Sequence, residues 1–210
     1  MNFIDSVLKN YTDVHTSPES DILQELARES EHKLEYTDML SGRQVGQLLH
    51  ILVRIGKCER LLEVGTFTGY SAIWMADALP ANGELITVEI NELYKSISDR
   101  FFRREPYHNK IKQITGDAMD EIDKLEGKFD LIFLDADKVN YPDYFQKLKP
   151  KLIKGGIFVA DNVLWSGSVL NPDDEKSRAI NQMNKLVQED PDFINVMLAV
   201  RDGLTIAVLS

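Results

Sequence analysis

Short apolar runs alternate along this chain with stretches in which apolar residues recur every three or four positions. The runs are Arg60–Gly65, Leu85–Ile90, Ile111–Thr115, Phe129–Asp135 and Gly156–Asp161, followed by Phe193–Val200 and Leu204–Leu209. Strand-length runs separated by helical periodicity predict βαβ units and a parallel sheet. Only Arg201-Asp202-Gly203 separates the last two runs. That gap admits a hairpin but no crossover helix, so the last pair is expected to be antiparallel on an otherwise parallel sheet.

Helix signals fill the gaps. Ser41-Gly42-Arg43-Gln44 has the form of a capping box, with Ser41 at the N-cap and Gln44 at N3. Val45, Leu48, Leu49 and Leu52 follow at helical spacing. Ser17-Pro18 predicts another helix start, with proline at the first position. Gly69–Leu79 stops at Pro80, and Asn91 is placed to cap Glu92–Arg104, where Leu93, Ile97 and Phe101 share a face. About three helices therefore precede the first strand. They are expected to cover the open side of the sheet or to form a subunit contact.

Composition adds bounds. At 210 residues the chain has the size of one domain, read as N-terminal helices over 1–57 and an α/β core over 58–210. No stretch approaches the ~20 apolar residues that span a bilayer. Met1-Asn2-Phe3-Ile4-Asp5 lacks the basic segment and apolar run of a leader. The single cysteine, Cys58, excludes an internal disulfide and a cysteine-based zinc site, and a reducing cytoplasm is expected. Cys58 itself reads as a bystander. The net charge of −10 disfavours nucleic acid, whose binding draws on lysine and arginine. Arg100, Arg103, Arg104 and Lys110 read as a solvated helix face, and His15, His32, His50 and His108 as structural or surface residues.

The chemistry gathers at the strand ends. Glu63-Val64-Gly65-Thr66-Phe67-Thr68-Gly69 closes a strand and opens a helix, where glycines let a ligand approach the backbone. The pattern is E-x-G-x-x-x-G, not the G-x-G-x-x-G that seats a pyrophosphate. A carboxylate there suits a ligand with an ammonium group and no phosphate, such as S-adenosylmethionine. Glu89 ends the second strand, where it can accept bonds from ribose hydroxyls, and Gly116-Asp117-Ala118 follows the third, where an adenine edge could rest. The fourth and fifth strands end in Asp135-Ala136-Asp137-Lys138 and Asp161-Asn162. If those strands are neighbours, Asp135, Asp161 and Asn162 form a hard oxygen set suited to Mg²⁺, Mn²⁺ or Ca²⁺. Lys138 is close enough to share that site as a base or as a counter-ion.

These residues resemble the cation-dependent O-methyltransferase family, which includes the caffeoyl-CoA O-methyltransferases and, more distantly, catechol O-methyltransferase. The resemblance runs from about Met39 to the C-terminus. Its marks are Met39 with Gly46-Gln47; Glu63-Val64-Gly65-x-x-Thr68-Gly69-Tyr70-Ser71; Asp135-Ala136-Asp137-Lys138-x-Asn140-Tyr141; Asp161-Asn162-x-Leu164-Trp165-x-Gly167-Ser168-Val169; and Asp202-Gly203-Leu204-Thr205. The family implies an α/β, Rossmann-like methyltransferase fold: a seven-stranded, mostly parallel sheet with an antiparallel last strand and helices on both faces. It implies S-adenosylmethionine as methyl donor and a divalent cation, Mg²⁺ first. Ser41, Glu63, Gly65, Thr66, Ser71, Glu89, Ala118 and Asp137 would contact the donor. Asp135, Asp161 and Asn162 would hold the metal, and Lys138 with Asp135 would carry the chemistry. Met39, Asp135, Lys138, Trp165 and Ser166 would meet the acceptor, and Tyr141, Trp165 and the 166–176 loop would shape its pocket.

The implied reaction is in-line attack of a metal-held catecholate oxygen on the sulfonium methyl, catalysed by positioning and electrostatics. The implied partners are a small aromatic substrate and a second copy of the chain, with no membrane. Plant members carry Asn where this chain has Ser166, so a free catechol and a CoA ester both stay open as acceptor. Other functions compete. A methyltransferase acting on a hydroxylated tRNA nucleoside is opposed by the charge. An NAD-dependent oxidoreductase is opposed by Glu63 and the missing glycine pattern. A non-catalytic S-adenosylmethionine-binding protein is opposed by the Asp135, Lys138, Asp161 and Asn162 set.

Overall fold

In the computed structural model, which describes residues 5–34 and 39–210, seven strands form one sheet among the described residues. They are β1 (Arg60–Val64), β2 (Glu84–Glu89), β3 (Ile111–Thr115), β4 (Phe129–Leu134), β5 (Leu152–Asp161), β6 (Phe193–Leu198) and β7 (Leu204–Leu209). Their order is β3-β2-β1-β4-β5-β7-β6. The pairs from β3 to β5 are parallel, and β7 runs antiparallel to both β5 and β6. The chain moves outward from β1 to β3, then returns to β4 on the other side of β1. That reversal leaves a crevice at the carboxyl ends of β1 and β4, where open α/β sheets take their ligands.

The helices are α1 (Ser6–Val14), α2 (Asp21–Lys33), α3 (Gly42–Ile55), α4 (Tyr70–Ala78), α5 (Glu92–Phe102), α6 (Ala118–Lys124), α7 (Tyr141–Leu148) and α8 (Glu175–Glu189). Alternate strand residues feed two cores. Leu61, Leu131, Phe133 and Val159 pack with Leu26 of α2, Leu49 of α3, Ile73 of α4 and Phe101 of α5. Leu62, Ile132, Leu134 and Phe158 pack with Ile122 of α6, Phe145 of α7 and Ile180 of α8. With both faces covered, the parallel strands read as nearly continuous apolar runs, which is why they were visible in the sequence. Asn91 caps α5 as expected, its side chain accepting from Leu93 N and Tyr94 N.

Several expectations are corrected. Ser41 has helical backbone angles (φ −57°, ψ −24°) and makes no side-chain cap bond among the described residues, because an N-cap side chain reaches the N3 amide only from an extended backbone. Gln44 instead donates to Thr12 Oγ1 (2.7 Å) and Asp13 Oδ1 (2.9 Å), tying α1 to α3. The helix expected at Ser17-Pro18 begins at Asp21. Arg43 Nε takes the Ser17 carbonyl (2.9 Å), holding that segment against α3 outside the helical ladder. Leu93, in the first turn of α5, is exposed while Ile97 and Phe101 are buried, so the expected face is apolar only from its second turn on.

β5 starts at Leu152, not Gly156. Phe129 pairs with Leu152 and Leu131 with Ile157, so residues 153–156 bulge between them. β6 ends at Leu198, because Val200 already belongs to the turn, its carbonyl accepting from Gly203 N (2.9 Å). Arg100, Arg103 and Arg104 are exposed, as expected of a solvated helix face, while Lys110 is half-buried. Arg100 pairs with Glu29, Arg104 grips Glu25 with both arms at 2.7 Å, and Lys110 Nζ donates to the Ala76 and Leu79 carbonyls. Two acids of α2, Glu25 and Glu29, thus pair with this face. Cys58 is buried, and that burial pushes its thiol up to about 11, as befits a bystander. No described helix is long and apolar enough to cross a membrane. Met1-Asn2-Phe3-Ile4, on which most of the leader reading falls, lies outside the described residues.

Candidate active site

The crevice between the ends of β1 and β4 opens into a cavity of about 980 Å³. Gly65 sits at its base with φ +99°, and a Cβ there would lie 2.2 Å from the Asp135 carbonyl. Only glycine permits both that angle and that approach. The amide of Asp135 in turn donates to the Val64 carbonyl (2.8 Å), so the ends of β1 and β4 are locked side by side.

One end of the cavity is built from β1, β2 and β3. Glu89 ends β2, and its two oxygens accept from Phe67 N (2.7 Å) and Asn91 N (2.8 Å). Burial raises its carboxyl above the ordinary range, and these amide bonds oppose the shift. Ala118 lines the cavity at the first turn of α6, after Asp117 has capped that helix through Met119 N (2.8 Å). Phe67 and Tyr94 meet edge to face at 4.7 Å, and both line the cavity; neither was named from the sequence as a contact residue.

Glu63 has no exposure and does not line the cavity. Its oxygens accept from Ser71 Oγ and Thr87 Oγ1, each at 2.5 Å, and Thr66 Oγ1 meets Thr87 Oγ1 at 2.5 Å. Burial pushes the Glu63 carboxyl up to about 8 despite those hydroxyls. Ser71 and Thr66 border a niche beside Ser41 and Met39. When the Glu63 carboxyl is ionised, the Ser71 hydroxyl donates to it and leaves its lone pairs for an ammonium group, with Glu63 behind them.

The other end is built from β4 and β5. Leu134 and Ala160 are register partners, so Asp135 and Asp161 follow side by side, with Asn162 next, and all three line the cavity. Lys138 is nearly buried. Its Nζ donates to Asp135 Oδ1 (2.8 Å) and to the Tyr141 hydroxyl (2.6 Å), which donates onward to the Asp161 carbonyl (3.0 Å). Asp161 Oδ1 accepts from the Asn162 amide (2.7 Å). Burial and the neighbouring Asp135 raise the Asp161 carboxyl, opposed by Lys138. Among the described residues no three His, Cys, Asp or Glu side chains cluster as metal ligands. The set is two carboxylates and an amide against one ammonium, a net negative, oxygen-only donor group that fits a hard divalent cation.

Asp137 accepts from Asn140 Nδ2 (2.7 Å) and the Tyr144 hydroxyl (2.6 Å) and faces the cavity. Tyr144 was not foreseen; its only signal was a spacing of two helical turns from Asp137. Tyr141, expected to shape the acceptor pocket, is fully buried beneath it, because α7 turns its ring into the core. Met39 and Trp165 line the cavity, as does Lys176 from the 166–176 segment expected to shape it; Arg201 and Asp202, which were not assigned to it, line it too, and Ser166 does not.

The chain as a whole is similar to known proteins. A family model described as O-methyltransferase matches residues 13–209, reaching further toward the N-terminus than the quoted motifs. Caffeoyl-CoA O-methyltransferase 1 of Eucalyptus globulus is 33% identical over 192 residues, 85% of this chain and 78% of that protein. Among solved structures, the O-methyltransferase TomG of Streptomyces achromogenes, in complex with SAM, superposes with a TM-score of 0.88 at 28% identity, over 97% of this chain and 96% of that one. An O-methyltransferase of Bacillus cereus bound to SAH does so at 0.87 and 26% identity, over 97% of each chain.

Proposed function

The chain belongs to the O-methyltransferase family and is an S-adenosylmethionine-dependent O-methyltransferase, and on that footing we propose that its acceptor is a catechol-type hydroxyl, free or as a CoA ester, and that it works with a divalent cation. The observation that carries this reading is the placing of Asp135, Lys138, Asp161 and Asn162 together on the wall of the same cavity that Glu89 and Ala118 line. Asp135, Asp161 and Asn162 would hold the cation, Mg²⁺ first. When bound, it supplies positive charge that favours the ionised form of a nearby aryl hydroxyl.

The chain's own residues supply the rest. Glu89, Ala118, Asp137, Ser41, Gly65, Thr66 and Ser71 are the donor contacts, with Glu63 acting through Ser71. Lys138 Nζ, an ammonium at rest, first gives a proton to solvent; the free amine then takes the acceptor's proton, and the ammonium so restored is held by Asp135 Oδ1 and the Tyr141 oxygen. The acceptor oxygen then forms its bond to the methyl carbon as the carbon–sulfur bond breaks and its electron pair stays on sulfur. Trp165 and Met39 offer apolar surface to an aromatic acceptor, and both line the cavity. The net charge of −10 gives a tRNA substrate no support.

The same reading takes residues 1–210 as one domain and places the enzyme in the cytoplasm as a homodimer. Exposed Val7, Leu8, Tyr11 and Val14 of α1 support a subunit contact. The deciding test is methyl transfer from S-adenosylmethionine to caffeic acid and 3,4-dihydroxybenzoic acid, with Mg²⁺ and with EDTA. Turnover that EDTA abolishes supports donor, cation and acceptor together. Turnover indifferent to EDTA removes the cation, and none on any catechol or its CoA ester removes the acceptor class.

A further inference from the structure

The motif Asp202-Gly203-Leu204-Thr205 has no part in the chemistry above, yet its first two residues grip the loop that follows Asn162. The Gly203 carbonyl accepts from Val163 N (3.2 Å) and the Asp202 carbonyl from Leu164 N (2.9 Å). The Asp202 carboxylate accepts from Ser166 N (2.6 Å). The turn between β6 and β7 thus holds three amides within four residues of the loop. Gly203 (φ +88°) must be glycine for the approach, since a Cβ would fall 2.4 Å from the Leu164 side chain.

The gripped loop is unusual. Asn162, Trp165, Ser166 and Gly167 have φ of +59°, +44°, +50° and +88°. Three of these are not glycine, and left-handed backbone is unfavourable for such residues unless their surroundings enforce it. Trp165 N and Gly167 N close turns within the loop, onto Asn162 O (3.2 Å) and Leu164 O (2.8 Å). Ser166 N, in the middle of the left-handed run, has Asp202 as its partner among the described residues. Without that carboxylate oxygen the amide would be left unpaired, and the run would relax toward ordinary backbone angles. The residue most displaced would be Trp165, which lines the cavity.

We propose that Asp202 is a positioning residue for methyl transfer, which acts through the Ser166 amide to hold Trp165 as the wall against which the aromatic acceptor lies. The inference rests on the acceptor reading given above. It assigns the bond to geometry and not to charge: what matters is a hydrogen-bond acceptor at the Oδ1 position. Donor binding, built mainly at the ends of β1, β2 and β3 with Ser41 and Asp137 beside them, should not respond.

The test compares Asp202→Ala, Asp202→Asn and Asp202→Glu in the full chain, with three readouts: KM and kcat for a catechol acceptor, Kd for S-adenosylmethionine by calorimetry, and amide hydrogen exchange over residues 162–167. Asp202→Ala is expected to raise the acceptor KM about tenfold, of the order a misplaced positioning group costs, to speed exchange in the loop, and to leave the donor Kd within about twofold. Asp202→Asn, whose amide oxygen accepts the same N–H, should restore both KM and protection. Asp202→Glu keeps the charge but sets the oxygen one methylene too far, and should not restore them. If Glu rescues and Asn does not, a charge contact replaces positioning and the proposal falls. It falls equally if Asp202→Ala leaves KM and exchange unchanged, or shifts the donor Kd as much as the acceptor KM. Should the alanine variant fail to fold, the Asn and Glu pair decides the same question. If the wild type methylates no catechol while the exchange order holds, the acceptor reading fails and the hold of Asp202 on the loop stands.

Discussion

The two ends of the cavity differ in how complete they are without a ligand. At the β1–β3 end the carboxylates are satisfied by the chain itself. Glu89 receives two backbone amides, and Glu63 two hydroxyls. At the β4–β5 end two neighbouring carboxylates share one ammonium, and burial plus mutual repulsion drive the Asp161 carboxyl upward. The first end is preorganised, so a ligand there exchanges few bonds on binding. The second holds excess negative charge that a cation would balance. Two such ends should fail independently when mutated, and that independence is what experiments can break.

The largest expected effect is at the charged end. Asp161→Ala should lower kcat/KM on the order of 10²–10³-fold, comparable with removal of a principal electrostatic group. The donor Kd, measured by calorimetry, should stay within about twofold. A parallel loss of donor affinity would mean that the two ends are one unit. Lys138→Met should follow with a loss of about 10²-fold or more, the range for a missing proton acceptor. The signature to look for is a fall in kcat with little change in either KM. A Lys138→Met enzyme with near-normal kcat would leave Lys138 as a mere counter-ion to Asp135.

At the preorganised end the effect is on affinity. Glu89→Ala removes a charged hydrogen-bond acceptor, worth about 1.5–3 kcal/mol. The donor Kd should therefore rise by roughly 10- to 100-fold, with kcat at saturating donor falling far less. An unchanged Kd would remove Glu89 from the donor contacts and blur the contrast between the ends.

The same contrast marks what was legible in the sequence. The strands were visible because burial on both faces makes them uniformly apolar. The strand-end acids were visible because the topology forces them to one edge. Asp135 and Lys138 lie three residues apart, so their pairing was local. The supports were hidden. Tyr141 and Tyr144 take their meaning from where α7 packs, and Asp202 from a turn that meets a loop 36 residues earlier. Helix starts went astray for a related reason. Ser41 and Ser17 are plausible caps by local chemistry, but Arg43 reaches across to the segment between α1 and α2, and Gln44 to α1 itself, and these bonds set the backbone instead.

The smallest expected effect sharpens the comparison, because it concerns a carboxylate that its own hydroxyls satisfy yet that remains buried. Glu63 is held at about 8, well above a free glutamate, and desolvation is the main cause. A carboxyl whose folded value is raised binds its proton more tightly in the native state than in the unfolded chain. Its contribution to stability is therefore greatest at low pH and declines as pH rises from about 4.5 to about 8. For a buried group the decline is on the order of a few kcal/mol. Glu63→Gln cannot ionise and should not show it. The difference in melting temperature, variant minus wild type, should then climb by roughly 5–10 °C between pH 5 and pH 9. A difference that stays flat would place the Glu63 carboxyl near its ordinary value, and the hydroxyls of Ser71 and Thr87 would then offset its burial in full.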